Sequence, residues 1–129
     1  MSTTTTKPGL LLFAHGARDA LWALPFEQVA AGVRARRPEL PVRLAFLEFM
    51  TPDLASAASA LVAQGCTRIA VLPLFLGSGG HVRKDLPALL DALRAQHTAV
   101  AFDLHPAVGE APAMIATLAD IALGLEPLP

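Results

Sequence analysis

The sequence predicts an α/β domain in which a four-stranded parallel sheet carries helices on both faces. Three observations predict it. Short aliphatic runs alternate along the chain with stretches of helical periodicity, and the alternation recurs four times without a linker or low-complexity tract between units. The first run, Leu10 to Ala14, is apolar without interruption, as a strand covered on both faces must be.

Each element has a local reason. Leu10 to Ala14 is read as the first strand, ending at His15-Gly16. Phe26, Val29, Ala30 and Val33 then recur at i, i+3, i+4 and i+7, and Arg34, Arg36 and Arg37 precede Pro38, where cations suit a helix carboxyl end and proline stops it. Val42 to Phe49 is read as the second strand, with Thr51-Pro52-Asp53 supplying an N-cap, a proline at the first helical position and an early acid. Gly65 closes that second helix, and Arg68 to Leu72 follows as the third strand. Leu86, Leu89, Leu90 and Leu93 mark a third helix, Ala99 to Leu104 a fourth strand, and Met114, Leu118 and Ile121 a last helix before Gly124. The expected organisation is a disordered tail over residues 1–8, one domain over 9–124 and a short tail over 125–129. Right-handed crossovers and a chain this short favour a flavodoxin-like, three-layer α/β/α arrangement, with the second strand outside the first and the third on its other side. Ligands then bind beyond the strand carboxyl ends, where strands one and three part.

Composition narrows the function. The chain has 129 residues, enough for one domain with a core that needs no disulfide or structural metal. Ten Lys and Arg against 11 Asp and Glu leave a formal charge of −1, which argues against a nucleic-acid partner. The charge-free stretches Leu54 to Thr67 and Ile69 to Val82 are too short to span a bilayer, so no membrane role is expected. Polar residues fill Met1 to Lys7, and Leu10 to Phe13 is too short for a signal-peptide core, so the expected location is cytoplasmic. One cysteine, Cys66, excludes an internal disulfide or a Cys-built cluster and reads as a small apolar residue before a strand. A mean hydropathy of +0.50 is high for a small soluble chain and predicts an apolar face covered by a second copy.

His15 and His81 each follow a strand, and in this topology they approach one crevice from neighbouring strands about 4.8 Å apart. Glu48 ends the second strand at the same edge, so three potential metal ligands or proton acceptors gather there. A lone histidine is more often structural; the convergence raises these two. Gly16 and the loop Gly77-Ser78-Gly79-Gly80 have a plain reading as turns needing positive φ, although the loop can also offer amides to an anion at a helix start. It lacks the Lys and Ser/Thr of a P-loop. His97 reads as a surface residue at a helix end, His105 as a reserve candidate beyond the fourth strand, and Asp19 and Asp53 as turn or capping residues. No serine sits in a GxSxG elbow, which leaves acid–base or metal chemistry. An imidazole with a pKa near 6.5 is largely neutral at pH 7 and can either coordinate a divalent ion or accept a proton.

The segments Phe13-Ala14-His15-Gly16-Ala17-Arg18-Asp19, Ala45-Phe46-Leu47-Glu48 and Pro73 to Pro87, the last reading PLFLGSGGHVRKDLP, resemble the sirohydrochlorin chelatase family. The resemblance runs from about Leu10 to Leu93. It implies a small single-unit class II chelatase of flavodoxin-like half-domain form, paired as a homodimer, that inserts Co²⁺ or Fe²⁺ into sirohydrochlorin toward cobalamin or sirohaem. The divalent ion, with Ni²⁺ also admissible to such ligands, is then a substrate, and no permanently bound cofactor is expected. The resemblance carries the family's two catalytic histidines onto His15 and His81 and its metal-site glutamate onto Glu48, so the metal set is His15, Glu48 and His81. Metal insertion needs both properties of an imidazole, since the ion must be held loosely and two pyrrole protons must leave. Arg18, Gly79, Gly80, Arg83 and Lys84 border the crevice as expected substrate contacts, the cations facing the carboxylates of the macrocycle. The family commonly has serine where this chain has Ala17, so a hydroxyl contact there is missing. Two rival readings are a non-catalytic metal or tetrapyrrole carrier using the same three ligands, and a flavin or nucleotide module using the Gly77 to Gly80 loop.

Overall fold

The computed structural model describes residues 5–77 and 79–125, and of residues 80–83 the backbone alone. In chain order the main elements are β1 (Pro8–Ala14), α1 (Leu24–Arg36), β2 (Val42–Phe46), α2 (Leu54–Ala63), β3 (Arg68–Pro73), α3 (Gly80–Gln96), β4 (Ala101–Leu104) and α4 (Pro112–Leu123). The strands form one parallel sheet in the order β2-β1-β3-β4. This is the expected flavodoxin-like order, with the change of direction at β1 and β3.

Pleating sends alternate side chains of each strand to opposite faces, and each face has its own cover. Leu11 and Phe13 of β1 and Ile69 and Val71 of β3 pack with Leu54 and Leu61 of α2 and Leu86, Leu90 and Leu93 of α3. On the other face Leu12 and Val42 meet Ala30 of α1, and Ala14 and Phe46 meet Ala23, Trp22 and Phe26. Fully burying a Leu, Ile or Phe contributes about 1.5–3 kcal/mol, and side chains with no exposed area, such as Leu11, Leu61, Ile69 and Leu90, each add on that order to the folding drive. Polar contacts close the amino edge, where Arg34 Nη2 donates to the Val42 carbonyl at 2.8 Å. Helix α4 differs from the rest. It buries no residue, packs chiefly on the short 3-10 turn Val108–Glu110, and leaves Ile115, Leu118 and Ile121 exposed.

Several boundaries differ from the sequence expectation for physical reasons. Order reaches into the expected tail, because Pro8 pairs with Arg68 in β1 and the Lys7 amide donates to Thr67 Oγ1 at 2.8 Å. A 3-10 turn, Ala20–Ala23, capped by Asp19 Oδ1 accepting from the Leu21 amide, precedes α1. Strand β2 ends at Phe46 instead of Phe49; main-chain bonds to β1 persist as far as Glu48, and Phe49, at φ 66, cannot extend them. The N-cap of α2 is Asp53, not Thr51: its carboxylate accepts from the Ser56 amide at 2.8 Å. Gly65, at φ +91, ends α2 as expected, and Cys66 is buried. Helix α3 begins at Gly80, so His81 belongs to a first helical turn rather than a loop.

Two predictions follow from the packing and the cap. Leu61→Ala removes a fully buried side chain and is expected to cost about 2–5 kcal/mol, read as a lower urea midpoint at unchanged slope. The Ser56 amide holds the Asp53 carboxyl below its usual range, so its contribution to stability is full at neutral pH and is lost as pH falls through that lowered value. Asp53→Asn keeps a capping acceptor without the titration, and its urea midpoint is expected to fall less steeply than the parent's on acidification below about pH 4.

Candidate functional site

The carboxyl edge of the sheet is set by main-chain pairing that outlasts the strands. After Ala14 and Phe46 the β1–β2 ladder continues, with the Leu47 amide donating to Ala14 O at 2.9 Å and the Glu48 amide to His15 O at 3.0 Å. His15 and Glu48 are therefore joined backbone to backbone. The approach is close enough to need a glycine next in line: Gly16 has φ +89, and a Cβ there would lie 1.9 Å from Glu48 O. On the other side of β1, Leu74 donates to Phe13 O at 2.7 Å, which brings Phe75 under the histidine. The His15 and Phe75 ring centroids are 4.5 Å apart at 42°, and Phe75 is itself buried and packed on Phe13. Gly109 supports this corner from beyond β4, its amide donating to Phe75 O at 2.9 Å and its missing side chain making room for Leu76 O.

Beside His15 opens a cleft of about 610 Å³ between α1, the exit of β3 and the start of α4. Trp22, Phe26, Leu74, Phe75 and Met114 form much of its wall, and among the described residues His15 is its one titratable group. Apolar walls weaken solvent screening around that imidazole. A wider depression of about 930 Å³ lies at the opposite, amino edge of the sheet, among Lys7, Arg34 and Arg43. It is remote from His15 and Glu48.

The remaining expected site residues fall as follows. Glu48 and Arg18 are exposed at the carboxyl edge, and the Arg18 guanidinium stands 5.0 Å over the Phe49 ring. Gly79 is the N-cap residue of α3 at φ −63, so positive φ is not what selects glycine there. Lys84 is exposed on α3. Gly80, His81 and Arg83 lie in the first turn of the same helix, which follows β3 in the chain, but their side chains lie outside the described residues. Among the described residues no three His, Cys, Asp or Glu side chains gather as a metal site; His15 and Glu48 are the described part of the expected set. His105 is exposed past β4, its amide donating to Val71 O at 2.9 Å. His97 is half-buried, with Nε2 3.4 Å from Ser59 Oγ, and so is less of a surface residue than expected. Burial pushes the Cys66 thiol up, which keeps it protonated at neutral pH and unsuited to hold a metal ion.

Residues 9–122 match the CbiX family. The chain belongs to that family. Among curated proteins, a sirohydrochlorin cobaltochelatase of Methanosarcina acetivorans is 34% identical over 86 residues, which cover 67% of this chain and 66% of that protein. The match thus spans just under two thirds of that relative. Among solved structures, a CbiX protein from Marinobacter aquaeolei superposes with a TM-score of 0.81 at 31% identity, covering 91% of this chain and 95% of the other. The sirohydrochlorin chelatase SirB from Bacillus subtilis subspecies spizizenii, in complex with cobalt, superposes at 0.74 with 25% identity over 91% of this chain and 52% of its own. This chain thus spans about half the length of that protein.

Sequence reasoning missed the cleft wall. The signal was present in Trp22 and Phe26, four residues apart at the start of a helix, whose rings meet at 4.6 Å. Gly16→Ala tests the close approach that joins His15 to Glu48. The added Cβ meets a carbonyl in a disfavoured φ region, and the expected result is a stability loss of at least about 1–3 kcal/mol by urea unfolding, with altered amide shifts at Glu48.

Proposed function

We propose that this chain is a chelatase that inserts a divalent ion, Co²⁺ or Fe²⁺, into sirohydrochlorin in cobalamin or sirohaem biosynthesis. The observation that carries the reading is the pairing of His15 with Glu48 at the mouth of an apolar cleft whose one described titratable group is His15. Family membership and the names of the relatives support it. The metal is a substrate here, and no resident cofactor is invoked.

In this reading His15, Glu48 and His81 receive the ion, and the imidazoles take up the two pyrrole protons that the ion displaces, so that charge and protons balance. The apolar wall of Trp22, Phe26 and Leu74 accepts part of the macrocycle and keeps water from competing for the ion. Arg18, Arg83 and Lys84, with the amides of Gly79 and Gly80, receive the carboxylates of the rim. We further take the protein to work in the cytoplasm as a homodimer. The support for pairing is the exposed apolar side of α4, at Ile115, Leu118 and Ile121, together with the half-length match to SirB.

The test mixes purified protein with sirohydrochlorin and Co²⁺ or Fe²⁺ and follows the macrocycle absorbance. Turnover above the buffer rate is expected, with kcat/KM falling at least about 100-fold in His15→Ala and in His81→Ala. Stoichiometric metal binding without turnover would instead make the chain a carrier. Light scattering at micromolar concentration is expected to give twice the chain mass of 13.5 kDa, and a monomeric mass refutes the pairing.

A further inference from the structure

Phe49 is held in a conformation that suits its residue type poorly. It is the one non-glycine among the described residues with positive φ, at 66°, and the Met50 amide donates across it to Glu48 O at 2.8 Å, closing a tight three-residue turn. Turns of this kind with positive φ at the centre are rare and strained, and a bulky side chain is costly there whereas glycine or asparagine is tolerated. The neighbouring main chain imposes the turn, through Glu48 donating to His15 O at 3.0 Å and Phe46 to Pro52 O at 2.9 Å. Core packing does not explain the residue, because Phe49 is 58% exposed. What the ring does touch is Arg18, whose guanidinium carbon stands 5.0 Å over its centroid. Among the described residues no carboxylate pairs with Arg18.

We propose that Phe49 is a positioning residue for substrate binding: its ring holds the Arg18 guanidinium at the carboxyl edge, beside His15 and Glu48, as a ready receiver for a carboxylate of an anionic tetrapyrrole. A guanidinium lying over an aromatic face keeps its N–H groups free at the edge, so it can still fork onto a carboxylate. Holding it in advance lowers the ordering cost that a free arginine meets on binding. Phe49 acts through Arg18 and is a positioning residue, and the inference rests on the reading of Arg18 as a substrate contact.

The test compares Phe49→Gly, Phe49→Asn and Phe49→Trp, each alone and with Arg18→Gln, in three measurements. These are absorbance titration with metal-free sirohydrochlorin, steady-state insertion of Co²⁺, and thermal unfolding. Phe49→Gly and Phe49→Asn are expected to weaken sirohydrochlorin binding and raise KM roughly two- to fivefold, with kcat changed less than about twofold. Their Tm is expected to hold or rise, because both residues relax at this φ. Phe49→Trp keeps the wild-type affinity, and in the Arg18→Gln background the Phe49 substitutions have no further effect. Unchanged affinity in Phe49→Gly overturns the inference, as does an equal loss with and without Arg18, or a loss that follows a fall in Tm. Absent turnover in the wild type, with binding still weakened through Arg18, would sink the chelatase reading and leave this one standing.

Discussion

The rest of the structure depends on β1 being closed in on every side. It has β2 on one edge, β3 on the other and helices over both faces, so its side chains from Leu11 to Ala14 are almost without exposed area. Every main-chain group of a strand so placed must find its partner within the sheet. The registers that result, Ala14 against Phe46 and Phe13 against Pro73, fix where the three strands leave the sheet. His15, Glu48 and Phe75 come together because their strands end in step. No side-chain attraction between them is needed to bring this about.

This hierarchy explains what was legible in the sequence. Uninterrupted apolar runs and helical periodicity are direct consequences of two-sided burial and one-sided covering, so the element order and the strand order could both be read. Strand-end residues inherit their location from that order, which is why His15 and Glu48 could be assigned to one edge. The misreadings share another cause. Phe49 looks like a strand residue and Thr51 like a cap, yet a turn closed by Met50 and an N-cap made by Asp53 decide that segment, and neither hydrogen bond leaves a periodic trace. The cleft was invisible for a similar reason. Its wall draws on Trp22 from the entry to α1, Leu74 and Phe75 from the exit of β3 and Met114 from α4, and only the folded topology makes these neighbours.

The site divides by polarity. Behind His15 the cleft is apolar, while Arg18 and Glu48 stand exposed at the edge of the sheet and Lys84 is exposed near the start of α3. A ligand with a flat apolar body and a charged periphery suits that division, since burying its charges would cost several kcal/mol each. Helix α4 bears on the same division. Met114 contributes to the cleft from a helix that buries no residue and is anchored mainly through the turn at Val108–Glu110, so that wall is held by few contacts.

Trp22 gives the molecule a built-in lamp. It is the single tryptophan of the chain, no tyrosine competes with its emission, and it stands in the cleft wall against Phe26. Whatever enters beside His15 changes the polarity around that indole, and a strongly coloured guest drains its excited state by energy transfer. The cleft thus announces its own occupancy as light, without a label.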